Sequence, residues 1–233
     1  MSQCSDISEA AIQGIYHIYH IPPAAPLSAA SHHIHISHIT YKKERIKLSE
    51  HLFEGTLSST QIFDGKIVKL YKDTVRLENG ETAFREVIEH SGGVCVLPIT
   101  DDDEIFFVKQ FRYPFRTVLM EIPAGKREKG EDPLTCGIRE LKEEIGATAG
   151  KITSLGKLYP TVAYDTEVIY MYMAQELSFS EQHLDADEFA DVVKVPFEEA
   201  VRMVMRDEIP DSKTQIAILK AWALRQSGNN TAL

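Results

Sequence analysis

From Lys47 onward the apolar residues fall into short runs separated by turn signals. Ile67, Val68 and Leu70, then Val75 and Leu77, mark two short β segments around Lys72-Asp73. Asn79-Gly80 follows, a strong signal for a tight hairpin, and residues 82–90 (TAFREVIEH) read as the returning strand. Residues 93–99 are apolar with little interruption and read as a buried strand. Beyond the acidic turn Asp101-Asp102-Asp103, residues 105–108 and 118–122 give two more strands, with Gln110-Phe111-Arg112-Tyr113 between them. One strong helix is predicted over 132–145, then strands near 152–158 and 166–174. A polar loop over 178–187 leads to a last short strand at 191–195, and two helices, 197–206 and 212–225, close the pattern. Strands, an embedded helix, more strands and terminal helices predict an α/β fold with a mixed sheet and helices on both faces.

The first forty-odd residues behave differently. They hold six of the nine histidines (His17, His20, His32, His33, His35 and His38) and no acidic residue between Glu9 and Glu44. Pro22, Pro23 and Pro26 interrupt any helix, and no period of 2 or 3.6 persists. A His-rich metal-binding tail is one reading. The plainer one, preferred here, is a disordered leader over 1–44, or a start placed too far upstream. Residues 228–233 are expected to be a flexible tail.

The formal net charge of −10, from 35 acidic against 25 basic residues, argues against a nucleic-acid backbone as the main partner. A polyphosphate would be repelled as well, unless a cation or local basic groups intervene. Cys4, Cys95 and Cys136 are widely spaced without a CxxC pair, and read as reduced thiols of a cytoplasmic protein. No apolar run approaches the roughly 18 residues needed to span a bilayer.

The stretch from Gly125 to Ala147 carries the chemistry. Asp132 is a good N-cap, Pro133 a favoured first helical residue, and Gly146 a helix stop. Leu134, Ile138, Leu141 and Ile145 recur at helical spacing and predict one apolar stripe. At about 100° per residue, Glu140, Glu143 and Glu144 share an arc of roughly 100°, expected to point away from that stripe. A glutamate-rich face is commonly just solvated. Here, however, like charges at i and i+4 repel and Lys142 falls on the opposite side. A hard divalent cation would relieve the crowding, bridge a diphosphate and activate a water.

Gly125, Glu131, Arg139, Glu140, Glu143, Glu144 and Gly146 fill the fixed positions of GX5EX7REUXEEXGU, so the chain resembles the Nudix hydrolases; only Ala147 is small for its slot. With about nine specified positions, chance matching is negligible. The resemblance implies a Nudix α/β/α sandwich with Glu140 and Glu144 as metal ligands, and Glu143 as a ligand or as a group behind the ligands. The Ala124 carbonyl would complete the site, and Mg²⁺, or Mn²⁺ in its place, would be the ion. It further implies that Arg139 orients the glutamates, that Gly125 lets the loop approach the metal closely, and that Glu131 braces the loop.

The flanks, over about residues 47 to 225, look like the bacterial ADP-ribose pyrophosphatase branch. That resemblance implies a small N-terminal antiparallel β subdomain (45–90) that pairs with a second subunit, ahead of a hydrolase domain (91–227). Arg112, Arg85 and Glu86 match positions that meet substrate. On the residues alone, each is equally an exposed strand residue or half of a surface ion pair. Two positions depart from the branch: Val162 occupies its marker-proline slot, and Ala186 occupies the first place of its Glu-x-Glu. The general base then falls to Asp185, Asp187 or Glu188, or to a box glutamate; Glu188 and Asp187 are preferred. The function expected is metal-dependent hydrolysis of ADP-ribose to AMP and ribose 5-phosphate by a homodimer. Another nucleoside diphosphate sugar is the alternative substrate. A non-catalytic ADP-ribose sensor is the reading from a different class; it fits poorly with a full set of box glutamates and no helix-turn-helix.

Overall fold

The computed structural model describes residues 52–182, 189–226 and 228. The leader, nearly all of the tail, and Asp185, Asp187 and Glu188 lie outside them. The first three strands, β1 (Gly55–Asp64), β2 (Lys69–Arg76) and β3 (Thr82–Glu89), form an antiparallel sheet of their own in that order. β2 runs unbroken through Lys72-Asp73, where the apolar pattern predicted two segments. Lys72 and Asp73 pair in register with Glu86 and Arg85 of β3, so polar cross-strand partners continue the ladder where apolar residues stop. At Asn79-Gly80 the hairpin forms as predicted, with Gly80 at φ 85° and the Leu77 N–H donating to the Glu81 carbonyl. β1 is exposed along nearly its whole length and has no apolar alternation, which is why the sequence did not mark it.

The remaining elements are β4 (Gly93–Pro98), β5 (Glu104–Arg112), β6 (Thr117–Glu121), β7 (Ala124–Lys126), helix α1 (Pro133–Ile145), β8 (Ala147–Leu158), β9 (Ile169–Phe179), β10 (Ala190–Pro196), α2 (Phe197–Met205) and α3 (Ser212–Gln226). One sheet, in the order β7-β4-β9-β8, is mixed because β4 and β9 run parallel. The other, β10-β5-β6, is antiparallel. This is the α/β fold with an added N-terminal antiparallel sheet that the sequence predicted.

β4 explains its own apolar run. Cys95 and Leu97 join Ile105 and Phe107 of β5 in a core with Phe197 of α2 and Ala217 and Ile218 of α3. Val96 joins Phe106 and Val108 in a second core, with Leu141 and Ile145 of α1. With helices packed on both sides, no position of the strand is left for a polar residue.

α1 sits differently from its predicted stripe. Leu134 and Ile138 are 39% and 44% exposed, whereas Gly137, Glu140, Leu141, Glu144 and Ile145 are buried. The cause is Gly137, where even a Cβ would lie only 3.2 Å from Val94 and Val96. The helix presses its glycine onto β4, which turns the contact line from Leu134 and Ile138 toward the glutamates. At the far end, Gly146 takes the left-handed conformation (φ 66°) and its carbonyl accepts the Ser180 N–H at 2.8 Å.

A polar cluster ties β6 to α3. Glu121, 1% exposed, accepts from Arg112 Nε and Nη2 at 2.6 and 2.7 Å and from the Lys213 ammonium. Thr214, wholly buried, takes the Ile122 N–H at 3.0 Å and donates to Asp211 at 2.6 Å. Burial alone would raise the Glu121 carboxyl, but the Arg112 hydrogen bonds and the Lys213 charge outweigh it and hold it down at about 2.

Two outcomes are expected. Gly146→Ala destabilises by more than about 1 kcal/mol in urea unfolding, because φ is left-handed and the new Cβ would lie 2.3 Å from the Ser180 carbonyl oxygen. The Glu121 carboxyl, ordinarily at 4.5, is depressed in the fold, so its contribution is full above pH 4.5 and is lost as pH falls toward 2. Urea midpoints measured across that window should fall for the natural chain, and fall less steeply for Glu121→Gln.

Candidate active site

α1 is built to hold its glutamates in place. Asp132 accepts the Thr135 N–H at 3.0 Å as N-cap, Pro133 opens the first turn, and Gly146 ends the last. Glu140 and Glu144 are 8% and 5% exposed, and Glu143 is half-buried. The sequence placed these three carboxylates away from the core; the turned contact line instead sets Glu140 and Glu144 against β7.

Arg139 is the counter-charge. Its Nη1 donates to Glu140 Oε1 at 2.8 Å and to Glu143 Oε2 at 2.9 Å. Its Nε and Nη2 donate to the two Glu131 oxygens at 3.1 and 3.2 Å. Glu131 also takes the Glu128 N–H at 2.9 Å, closing the loop before the helix. The Arg139 hydrogen bonds first, and the Glu128 N–H second, hold the Glu131 carboxyl at about 2; Arg139 is raised in turn, chiefly by Glu131. Glu144 Oε2 accepts the Ala124 N–H at 3.0 Å. A Cβ on Gly125 would fall 1.9 Å from the Glu140 carboxyl carbon, so the close approach of β7 to the helix requires a glycine there.

Among the described residues no three side chains are already drawn into a metal cage. The glutamates are distributed over Arg139 and the Ala124 N–H instead, as like charges around a protein cation should be. As a donor set, several carboxylates with Gly125 of β7 against them suit a hard divalent ion.

These groups line one cleft of about 780 Å³. Ala124, Gly125, Arg139, Glu140, Glu143 and Glu144 meet there with Arg112 and Gln110 from β5, and with Asp211 and Lys213 at the start of α3. Arg112 thus shares a cleft with the box glutamates of α1. Arg85 and Glu86 do not line this cleft. Arg85 is held on β3 by Glu54, through Nε at 2.8 Å and Nη2 at 2.5 Å, and Glu86 is exposed on the same strand. Asp187 and Glu188 lie outside the described residues.

Sequence reasoning missed several cleft residues, among them two acid–base pairs. Glu167 and His90 line it 3.4 Å apart, the Glu167 carboxyl raised chiefly by burial and opposed by His90. Lys213 and Asp211 line another part of the wall. A signal for Lys213 was present: a lysine in the first turn of a helix opposes the dipole, so something else must hold it. Cys95 and Cys136 are free and buried, and burial pushes both thiols up to about 12, so neither offers a thiolate. No helix among the described residues is long and apolar enough to cross a membrane.

Residues 89–216 match the family model described as NUDIX domain, and residues 54–88 match the model described as nucleoside diphosphate sugar hydrolase N-terminal domain. An ADP-ribose pyrophosphatase of Bacillus subtilis (strain 168) is 44% identical over 169 residues, covering 72% of this chain and 91% of that one. A methanol dehydrogenase activator of Bacillus methanolicus is 41% identical over 167 residues, covering 71% and 90%. The solved structure of an ADP compounds hydrolase superposes with a TM-score of 0.68 at 20% identity, over 78% of this chain and all of that one, and so shares the fold. With the family model spanning more than half of the sequence, and Gly125, Arg139, Glu140, Glu143 and Glu144 lining one cleft, the chain belongs to the Nudix family and is one of its diphosphohydrolases.

Proposed function

We propose that the chain hydrolyses the diphosphate of ADP-ribose to AMP and ribose 5-phosphate. The observation that carries this is the shared cleft, in which buried carboxylates around Arg139 face the same space as Arg112. Glu140, Glu143 and Glu144, with the Ala124 carbonyl, would hold the metal. A bound Mg²⁺, or Mn²⁺ in its place, supplies a Lewis acid that offsets phosphate charge and acidifies a water.

The chain's own residues do the rest. Arg139, braced by Glu131, keeps Glu140 and Glu143 in one orientation. Gly125 leaves the Glu140 carboxylate its place. Arg112 has Nε and one Nη2 hydrogen committed to Glu121, which leaves further guanidinium donors for the diphosphate. Glu188 or Asp187 takes the proton from the attacking water.

The working unit proposed is a cytoplasmic homodimer, with residues 45–90 as its dimerisation subdomain and 91–227 as the hydrolase. Leu57, Ile62 and Phe84 of the N-terminal sheet are all about half exposed or more, an apolar surface suited to a second copy. Arg85 and Glu86 would then reach substrate from the second copy. Another nucleoside diphosphate sugar is the second reading: Val162, 81% exposed, replaces the marker proline, and the N-terminal family model is described by that wider substrate class.

The test is hydrolysis of ADP-ribose, ADP-glucose, GDP-mannose, NADH and dGTP with Mg²⁺, resolving the monophosphates released. ADP-ribose should be cleaved fastest, a chelator should abolish turnover, and Glu144→Gln should lower kcat by on the order of a hundredfold or more. Faster cleavage of another sugar nucleotide moves the substrate assignment to it, and binding of ADP-ribose without cleavage by any metal form points to a sensor. Gly125→Ala should keep the fold, by circular dichroism, yet lose about 10- to 100-fold in kcat, because its Cβ displaces Glu140.

A further inference from the structure

Arg112 does not stand alone at the cleft wall. Both oxygens of the buried Glu121 are taken: Arg112 reaches each of them, and the Lys213 ammonium shares Oε2. Lys213, its side chain 12% exposed, also donates to Asp211 Oδ1 at 2.9 Å. Asp211 Oδ2 in turn accepts from the Thr214 N–H at 3.0 Å and from its hydroxyl at 2.6 Å, which fixes Asp211 on the first turn of α3. A continuous line of charge-assisted bonds therefore runs from the base of α3 through Lys213 and Glu121 to Arg112.

A lysine at a helix start is opposed by the dipole, and burial adds a desolvation cost. The position is tolerated because Asp211 and Glu121 flank the ammonium. The four groups are electrically neutral together, two cations against two carboxylates. Without Lys213 the cluster carries a net negative charge beside glutamates already crowded on α1, and Glu121 loses one of its anchors.

We propose that Lys213 is a positioning residue for substrate recognition: it locks Glu121, and through Glu121 it presents the Arg112 guanidinium to the substrate's diphosphate. This rests on the reading that Arg112 meets the diphosphate. Lys213 acts on binding, since it is placed to orient a cation rather than to touch the reacting water.

Steady-state kinetics on the full-length enzyme with ADP-ribose and Mg²⁺ separate this from a merely structural role, with thermal melts run on each variant. Lys213→Met should raise KM about 10- to 100-fold while kcat stays within about threefold. Arg112→Gln should raise KM as well, and adding Lys213→Met to it should change KM little, because the two act as one unit. The double variant Lys213→Met/Asp211→Asn restores charge neutrality and guards against a folding defect; its KM should stay high, since Glu121 still lacks one of its two anchors. A return of KM to the natural value in that variant would make the effect one of net charge and overturn the proposal. Multiplying effects of Lys213→Met and Arg112→Gln, or a lowered melting point with unchanged KM, would overturn it too. If Arg112→Gln raises KM and Lys213→Met does not, this proposal alone falls. If Arg112→Gln leaves KM unchanged, the diphosphate role of Arg112 fails and takes the proposal with it.

Discussion

Carboxylates buried side by side on one helix are the constraint to which the surrounding structure answers. Glu140 and Glu144 lie one turn apart, nearly out of solvent, with Glu143 beside them. Unpaired, such a group is expensive, so its neighbourhood has to be built around it. Arg139 bridges Glu140 and Glu143, Glu131 fixes Arg139 from the loop, and the Ala124 N–H meets Glu144. Gly137 brings the helix onto β4, and Gly125 keeps β7 clear of the Glu140 carboxylate. Gly137 thus sets how deeply the glutamates are buried, and Arg139, Glu131, Ala124 and Gly125 answer the negative charge placed there.

A third buried carboxylate, Glu121, uses the same chemistry toward a different end. An arginine holds it as well, here by a two-nitrogen fork, and a second cation comes from a distant helix. The first cluster gathers acceptors and the second presents donors. A cleft with acceptors on one wall and donors on another suits a ligand made of phosphates and a cation between them.

Much of this was legible beforehand. The box residues named α1, its cap and its stop, because Asp132, Pro133 and Gly146 act locally and their spacing leaves little choice. The hairpin at Asn79-Gly80 was legible for the same reason. β1 was not, since an exposed strand held by backbone pairing leaves no alternation to read. The stripe through Leu134 and Ile138 misled: periodicity reports which residues are apolar, whereas Gly137 decided which side came closest to the sheet. Lys213 and Glu121, 92 residues apart, became partners only through the fold. Arg112 was singled out by resemblance, but nothing near it in sequence revealed what holds it.

β4 lies at the junction of all this. Hydrogen-bonded along both edges, to β7 and to β9, and packed against helices on both faces, it has no free side. A strand so enclosed has almost no freedom to vary without loss of the fold. Variation within such a scaffold is therefore left to elements with free faces, such as β1, exposed along nearly its whole length, and the turn around Val162, itself 81% exposed.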